Sequence, residues 1–159
     1  TSMQQEKLLM NFANVFPFFF KEENFEIIGE DMDKYAAISR MCQRLKDNGY
    51  VEDEFEQQVI QREEAISTGY INFAVPHGVS AEVSDQTVAV LIAPNGIVWS
   101  DKIIYCVMLM AVDPERLEEF QNMYNALLLL LMETDCVEKL RSISDFNQFR
   151  RIMTSQRLS

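Results

Sequence analysis

A single histidine, His77, stands in the chain. It lies in the run Phe73-Ala74-Val75-Pro76-His77-Gly78, after apolar residues and before a glycine. That setting places it at a strand end or in a loop, where binding groups held by a rigid scaffold collect. Imidazole is the side chain whose ordinary pKa, ~6.5, lies near neutrality. A neutral ring attacks a phosphoryl phosphorus, and the protonated ring leaves again, so His77 is a candidate phosphoryl carrier. A lone histidine is equally at home as a structural or surface residue.

Fifteen residues upstream begins Arg62-Glu63-Glu64-Ala65-Ile66-Ser67-Thr68-Gly69. Arg62 falls near the end of a predicted helix, from which a guanidinium can hold a phosphoryl group bidentately. Ser67 and Thr68 offer hydroxyls in the turn from helix to strand, and Glu63 joins them as an assisting residue. Each also has a structural reading: Arg62 suits the negative end of a helix dipole, and Thr68-Gly69 suits a turn.

The elements that must position these groups can be read from periodicity. Lys7–Phe20 is apolar and aromatic, a short helix broken at Pro17 that feeds an aromatic plug. Phe25–Ile28 alternates as a strand does. Ile38, Met41, Cys42 and Leu45 form one helical face, capped by Asp31 or Asp33 and stopped at Asn48-Gly49. The next helix starts at Asp53, with Glu56 as its capping-box partner. It turns Phe55, Val59 and Ile66 inward and runs to about Ser67. Tyr70–Val75 and Thr87–Ala93 read as strands, and Pro94-Asn95-Gly96 as a turn. Ile103–Val112, a nearly continuous apolar run, predicts a central strand covered on both faces. Asp113-Pro114 opens a helix whose inner face is Leu117, Phe120, Tyr124, Leu127 and Leu131. Two shorter helices follow, near Asp135–Arg141 and Asp145–Met153. Strands in the middle and helices on either side predict an α/β sandwich, three-layer-like, around a mixed sheet.

Composition bounds the partners. A chain of 159 residues fits one domain and needs no disulfide or metal staple. Five glycines and four prolines leave no room for a long disordered stretch. With 14 Lys and Arg against 25 Asp and Glu, the net charge is −11. That disfavours direct binding to nucleic acid or to an anionic membrane surface. Three unpaired-looking cysteines, Cys42, Cys106 and Cys136, argue for buried thiols in a reducing compartment. They also lack metal-site spacing. No apolar run approaches the ~20 residues of a membrane span. No signal peptide opens the chain, and Thr1-Ser2-Met3 reads as a remnant before a start or an internal cut. A cytoplasmic protein with no metal and no cofactor is the expectation.

Taken together, the motifs resemble the fructose/mannitol-type (type 2) enzyme IIA family of the bacterial sugar phosphotransferase system. Arg62-Glu63, the Ser67-Thr68-Gly69 turn and Ala74-Val75-Pro76-His77 carry the resemblance. It extends to the helix from Asp31-Met32-Asp33-Lys34 through Asn48-Gly49-Tyr50-Val51, and to Ile97-Val98-Trp99-Ser100-Asp101. It spans residues 24–153. The resemblance implies a mixed five-stranded sheet flanked by helices. It implies that His77 takes a phosphoryl group from phospho-HPr, the system's carrier protein, and that Arg62 helps to hold it. On this reading residues 1–23 are a lead-in and residues 24–159 the enzyme IIA domain.

Two positions depart from the family's pattern. Phe73 stands where glycine is usual. The second histidine of transporter-associated members is absent from the helix after the central strand, where Glu118 or Glu119 stands instead. A carboxylate there could accept a hydrogen bond from the His77 ring and set its tautomer. The missing histidine and the entry Phe16-Pro17-Phe18-Phe19-Phe20-Lys21-Glu22-Glu23-Asn24 resemble the regulatory copies found at the C-terminus of BglG-type antiterminators. The expected function is therefore a phosphoryl-accepting input to a transcriptional regulator, with upstream regulatory domains as partners. The alternatives are a relay that passes phosphate to enzyme IIB of a fructose- or mannitol-type transporter, and an interaction domain in which His77 is never phosphorylated.

Overall fold

A computed structural model describes residues 3–155. Thr1 and Ser2, from the stretch expected to be a remnant, and residues 156–159, from the end of the expected enzyme IIA domain, lie outside the described residues. The elements are α1 (Met3–Phe19), β1 (Phe25–Ile27), α2 (Lys34–Asp47), α3 (Phe55–Ala65), β2 (Phe73–Ala74), β3 (His77–Val79), β4 (Thr87–Trp99), β5 (Lys102–Val112), α4 (Leu117–Glu133), α5 (Cys136–Leu140) and α6 (Phe146–Ser155).

The sheet has five strands and is mixed. β1 runs parallel to β4, β4 pairs antiparallel with β5, and β2 and β3 both lie parallel to β5. Alternation along β4 sends Val88, Val90 and Ile92 to one core and Ala89, Leu91 and Ala93 to the other. The first core is closed by α1, α4, α5 and α6, the second by α2 and α3. β5 is the central strand, and its run from Ile104 to Val112 is buried apart from half-buried Tyr105. This is the expected α/β sandwich.

Local chemistry explains most boundaries. Asp33 caps α2 by accepting from the Ala36 amide at 2.8 Å. The helix ends where Gly49 takes φ of +83°, a region open to glycine. Asp113 caps the 3-10 turn before α4 by accepting from the Glu115 amide at 3.0 Å. The phenylalanines gather into one cluster, with Phe16 stacked on Phe20 at 4.7 Å and Phe149 5.9 Å from both rings.

Several expectations are corrected. α1 runs through Pro17 without breaking. The proposed capping box of α3 does not form: Asp53 pairs with Lys46, and Glu56 accepts from the Ser39 hydroxyl at 2.7 Å. Ile66 is not inward but 78% exposed, because the backbone turns extended there and leaves the helical period. Leu117 opens α4 beyond the sheet and is half exposed. Pro94-Asn95-Gly96 is no chain reversal. β4 passes through it with a register shift between Ile92 and Ile97, and the chain turns instead at Ser100, whose φ is +59°.

The Tyr70–Val75 strand shrinks to Phe73–Ala74, but its register continues past Pro76. Phe73 lies opposite Cys106 and His77 opposite Met110, the same offset along β5. Pro76 has no N–H to give to the ladder, so it splits one parallel edge strand into β2 and β3. Its carbonyl still accepts from Met110 at 2.9 Å. His77 thus belongs to a strand, not a loop, and its ladder to the central strand fixes its height along the sheet.

Candidate functional site

His77 and Arg62 meet. Arg62 sits in the last turn of α3, and its Nη1 lies 3.0 Å from Nε2 of the ring. Gly78 makes the approach possible. A Cβ at that position would lie 2.7 Å from the Phe55 ring and 3.1 Å from Val59, so only glycine lets β3 come this close to α3.

The partners of the ring settle its tautomer. Nδ1 lies 3.2 Å from the Val75 carbonyl oxygen, which only accepts, so Nδ1 carries the proton and donates it. Arg62 only donates, so Nε2 presents a lone pair toward the guanidinium. The expectation that Glu118 or Glu119 orients the ring is not met. Glu119 is engaged with Arg116 at 2.9 Å, and a backbone carbonyl two residues before the histidine does the orienting. Backbone atoms leave no residue-type signal, so sequence reasoning had no means of finding Val75.

Glu63, next to Arg62, faces the other way and is buried. Its carboxylate accepts from the Thr68 amide at 2.9 Å and the Thr68 hydroxyl at 2.5 Å. It also accepts from the Trp99 indole at 3.1 Å and pairs with Lys34 at 3.2 Å. Lys34 in turn donates to the Ser100 hydroxyl at 3.2 Å. A buried carboxylate is tolerable only with such partners. The hub ties the end of α3, the turn before β2, the tip of the β4–β5 hairpin and the start of α2 into one block. It gives Arg62 a rigid base. Lys34 and Trp99 were not singled out as site residues, although both lay in noted motifs; a buried indole N–H needs an acceptor, and that was the available signal.

The two hydroxyls differ. The Thr68 proton is committed to Glu63, whereas Ser67 is exposed and its oxygen accepts from the Gly69 amide at 3.2 Å. Gly69 is also spatially required, since a Cβ there would lie 2.8 Å from Trp99. After the turn, Tyr70 stacks on Phe73 at 5.0 Å and neighbours Tyr124 of α4. Burial, with Tyr70 close by, pushes the Tyr124 hydroxyl up to about 12.

No cysteine competes as nucleophile. All three are buried, and burial pushes Cys42 up to about 12, Cys136 to about 11 and Cys106 higher still. Among the described residues no group of three His, Cys, Asp or Glu is placed to hold a metal ion. No helix among them is long and apolar enough to cross a membrane.

This architecture has counterparts. The nitrogen regulatory protein IIA-Ntr of Neisseria meningitidis superposes with a TM-score of 0.77 at 18% identity, covering 86% of this chain and 97% of that one. A complex of enzyme IIAMtl with phosphorylated enzyme IIBMtl from Escherichia coli gives 0.71 at 23% identity, covering 87% and 100%. In sequence, the chain is 32% identical over 84 residues to the mannitol-specific phosphotransferase enzyme IIA component of Bacillus subtilis (strain 168), covering 50% of this chain and 59% of that protein. It is 30% identical over 140 residues to the multiphosphoryl transfer protein of Haemophilus influenzae, covering 85% of this chain and 28% of that protein. The chain therefore spans less than two thirds of either relative. The model of the family described as "Phosphoenolpyruvate-dependent sugar phosphotransferase system, EIIA 2" matches residues 18–156, and with that match over most of its length the chain belongs to the type 2 enzyme IIA family.

Proposed function

We propose that His77 accepts a phosphoryl group at Nε2 from the phosphorylated carrier protein HPr, in the cytoplasm, and that the chain acts as the sugar-status input of a BglG-type transcriptional regulator. The observation that carries the acceptor role is the pair of fixed ring contacts. Val75 keeps the proton on Nδ1, and the Nε2 lone pair faces Arg62. In the transfer, Nε2 forms the new P–N bond. The bond between phosphorus and the donor breaks, and its electron pair leaves with the carrier. The proton stays on Nδ1 and is donated to the Val75 carbonyl, which favours the cationic phosphorylated ring. Arg62 is exposed and long enough to yield the lone-pair direction, then donates to the phosphoryl oxygens. Ser67 assists with its hydroxyl, and Thr68 and Glu63 position the turn.

Replacing Arg62 by Lys keeps the charge and loses the planar fork. Charge-assisted bonds of this kind contribute about 1.5–3 kcal/mol. Arg62→Lys is expected to slow phosphorylation by HPr about 10- to 100-fold while leaving the melting temperature within a degree or two. An unchanged rate would remove Arg62 from the mechanism.

The regulatory reading is supported by the cation at the ring and by the sequence at the start of α4. A relay stabilises the transferring phosphoryl from both proteins, with cationic donors beside it. Arg62 is the cation in contact with the His77 ring, and the position where transporter-associated members carry a second histidine is acidic here, at Glu118 or Glu119. A sensor needs only to hold new negative charge and change how it meets a neighbouring domain. The similarity to a mannitol-specific enzyme IIA component favours the second reading, relay to enzyme IIB. The phosphorylated chain, freed of donors and mixed with fructose- and mannitol-type enzyme IIB proteins, is expected to keep its phosphate. Rapid transfer to one of them would replace the regulatory reading with the relay.

A further inference from the structure

Helix α1 lies almost wholly before the stretch that matches the family, residues 18–156, yet it packs on α4, which lies within it. Between the two helices is a cleft of about 740 Å³. That volume falls within the range of small-molecule sites, which join an apolar floor to a few polar groups that fix the ligand. The floor is Phe12 and Phe19 of α1 with Met123 and Ala126 of α4, all buried. Phe12, Val15 and Phe19 recur at steps of three and four along α1, and Glu119, Asn122 and Ala126 do the same on α4. Residues so spaced share one side of a helix, so two helix faces meet across the opening.

The polar groups at the mouth select the ligand. Asn11 and Asn14 of α1 and Asn122 of α4 line it, and among the described residues none of the three side-chain amides has a hydrogen-bond partner within the chain. Each offers two N–H donors and a carbonyl acceptor. The charged groups beside them are already engaged. Arg116 donates to Asp85 at 3.2 Å and to Glu119 at 2.9 Å. Gln86 is held at both ends, donating to the Arg116 carbonyl at 3.2 Å and accepting from the Asp113 amide at 3.2 Å. An anionic ligand would therefore meet no unpaired cation, and a cationic one no unpaired carboxylate. A wholly apolar ligand would strip water from three amides and give them no partner. A neutral molecule with several hydroxyls and one apolar face meets all of these conditions. An amide sets its N–H beside its C=O, which suits two adjacent hydroxyls. Phe18, at the rim and 68% exposed, offers an open ring on which an apolar face can stack. We propose that the cleft between α1 and α4 binds a neutral sugar, its hydroxyls held by Asn11, Asn14 and Asn122 and its C–H face laid on Phe18. The sugar is bound there without chemical change.

The inference does not rest on the phosphoryl reading, because it uses no residue of that site. Its test follows the backbone amide resonances of the isotope-labelled chain as D-glucose, D-fructose, N-acetylglucosamine and cellobiose are added in turn, each to about 50 mM. At least one of them is expected to shift resonances of α1 and α4 saturably, with a Kd of about 1 mM or tighter. Phe18→Ala and Asn122→Ala, both at exposed positions, are each expected to weaken that binding about threefold or more, and together at least about tenfold. Glucose 6-phosphate is expected to bind no more tightly than glucose, since the cleft has no cation to spare for its phosphate. The absence of a saturable shift with all four sugars would overturn the proposal. So would tighter binding of glucose 6-phosphate than of glucose, or binding that the double variant leaves unchanged.

Discussion

Glu63→Ala is expected to destabilise the chain by about 3–5 kcal/mol, the usual cost of breaking a buried ion pair by removing one partner. The reason lies in what the substitution leaves behind. Lys34 remains nearly buried without its carboxylate, and the Trp99 indole and the Thr68 amide lose their acceptor. Each orphaned donor adds its own desolvation cost. For a domain of this size the melting temperature falls by on the order of 10 °C. Urea unfolding checks the magnitude, and a loss below about 1 kcal/mol would mean that the hub is not the clamp described here. Lys34→Met added to Glu63→Ala is expected to recover part of the loss, since the uncompensated ammonium is then gone. At temperatures where the variant is still folded, phosphorylation is expected to slow as well, because the hub supports the turn from which Arg62 meets His77.

That hub marks how far the sequence could be read. Helices with a clean period, such as Ile38, Met41, Cys42 and Leu45 on α2, were legible because the signal is local. So was the central strand Ile103–Val112, since burial on both faces leaves an apolar run, although Ile103 itself is exposed. The edge strand was legible only in part, since the run Tyr70–Val75 holds β2 but β3 at His77–Val79 was missed. Its pairing with β5 is parallel and long-range, and Pro76 hides the continuity between Phe73 and His77. Pro94-Asn95-Gly96 has the residues of a turn, yet Ile97 resumes pairing with Ile104, and that long-range pairing overrides local preference. At the site, the spacing of Arg62 and His77 pointed to a shared chemistry, and the fold brings the two within 3.0 Å. The partners of Glu63 lie 29 residues before it, at Lys34, and 36 after it, at Trp99. No local pattern reports such contacts. The acceptor for Nδ1 is a backbone carbonyl, whose role depends on geometry alone.

One measurement reaches the proposed role of His77 as phosphoryl acceptor directly. The chain is incubated with phosphoenolpyruvate, enzyme I and HPr, and its intact mass is recorded beside that of His77→Ala. The Nδ1–Val75 contact leaves Nε2 as the nucleophile, and the three cysteines are buried. The natural chain is therefore expected to gain the mass of one phosphoryl group, in an acid-labile and base-stable linkage, and His77→Ala to gain none. A natural chain that stays unmodified, or a His77→Ala chain that still takes up phosphate, would contradict it.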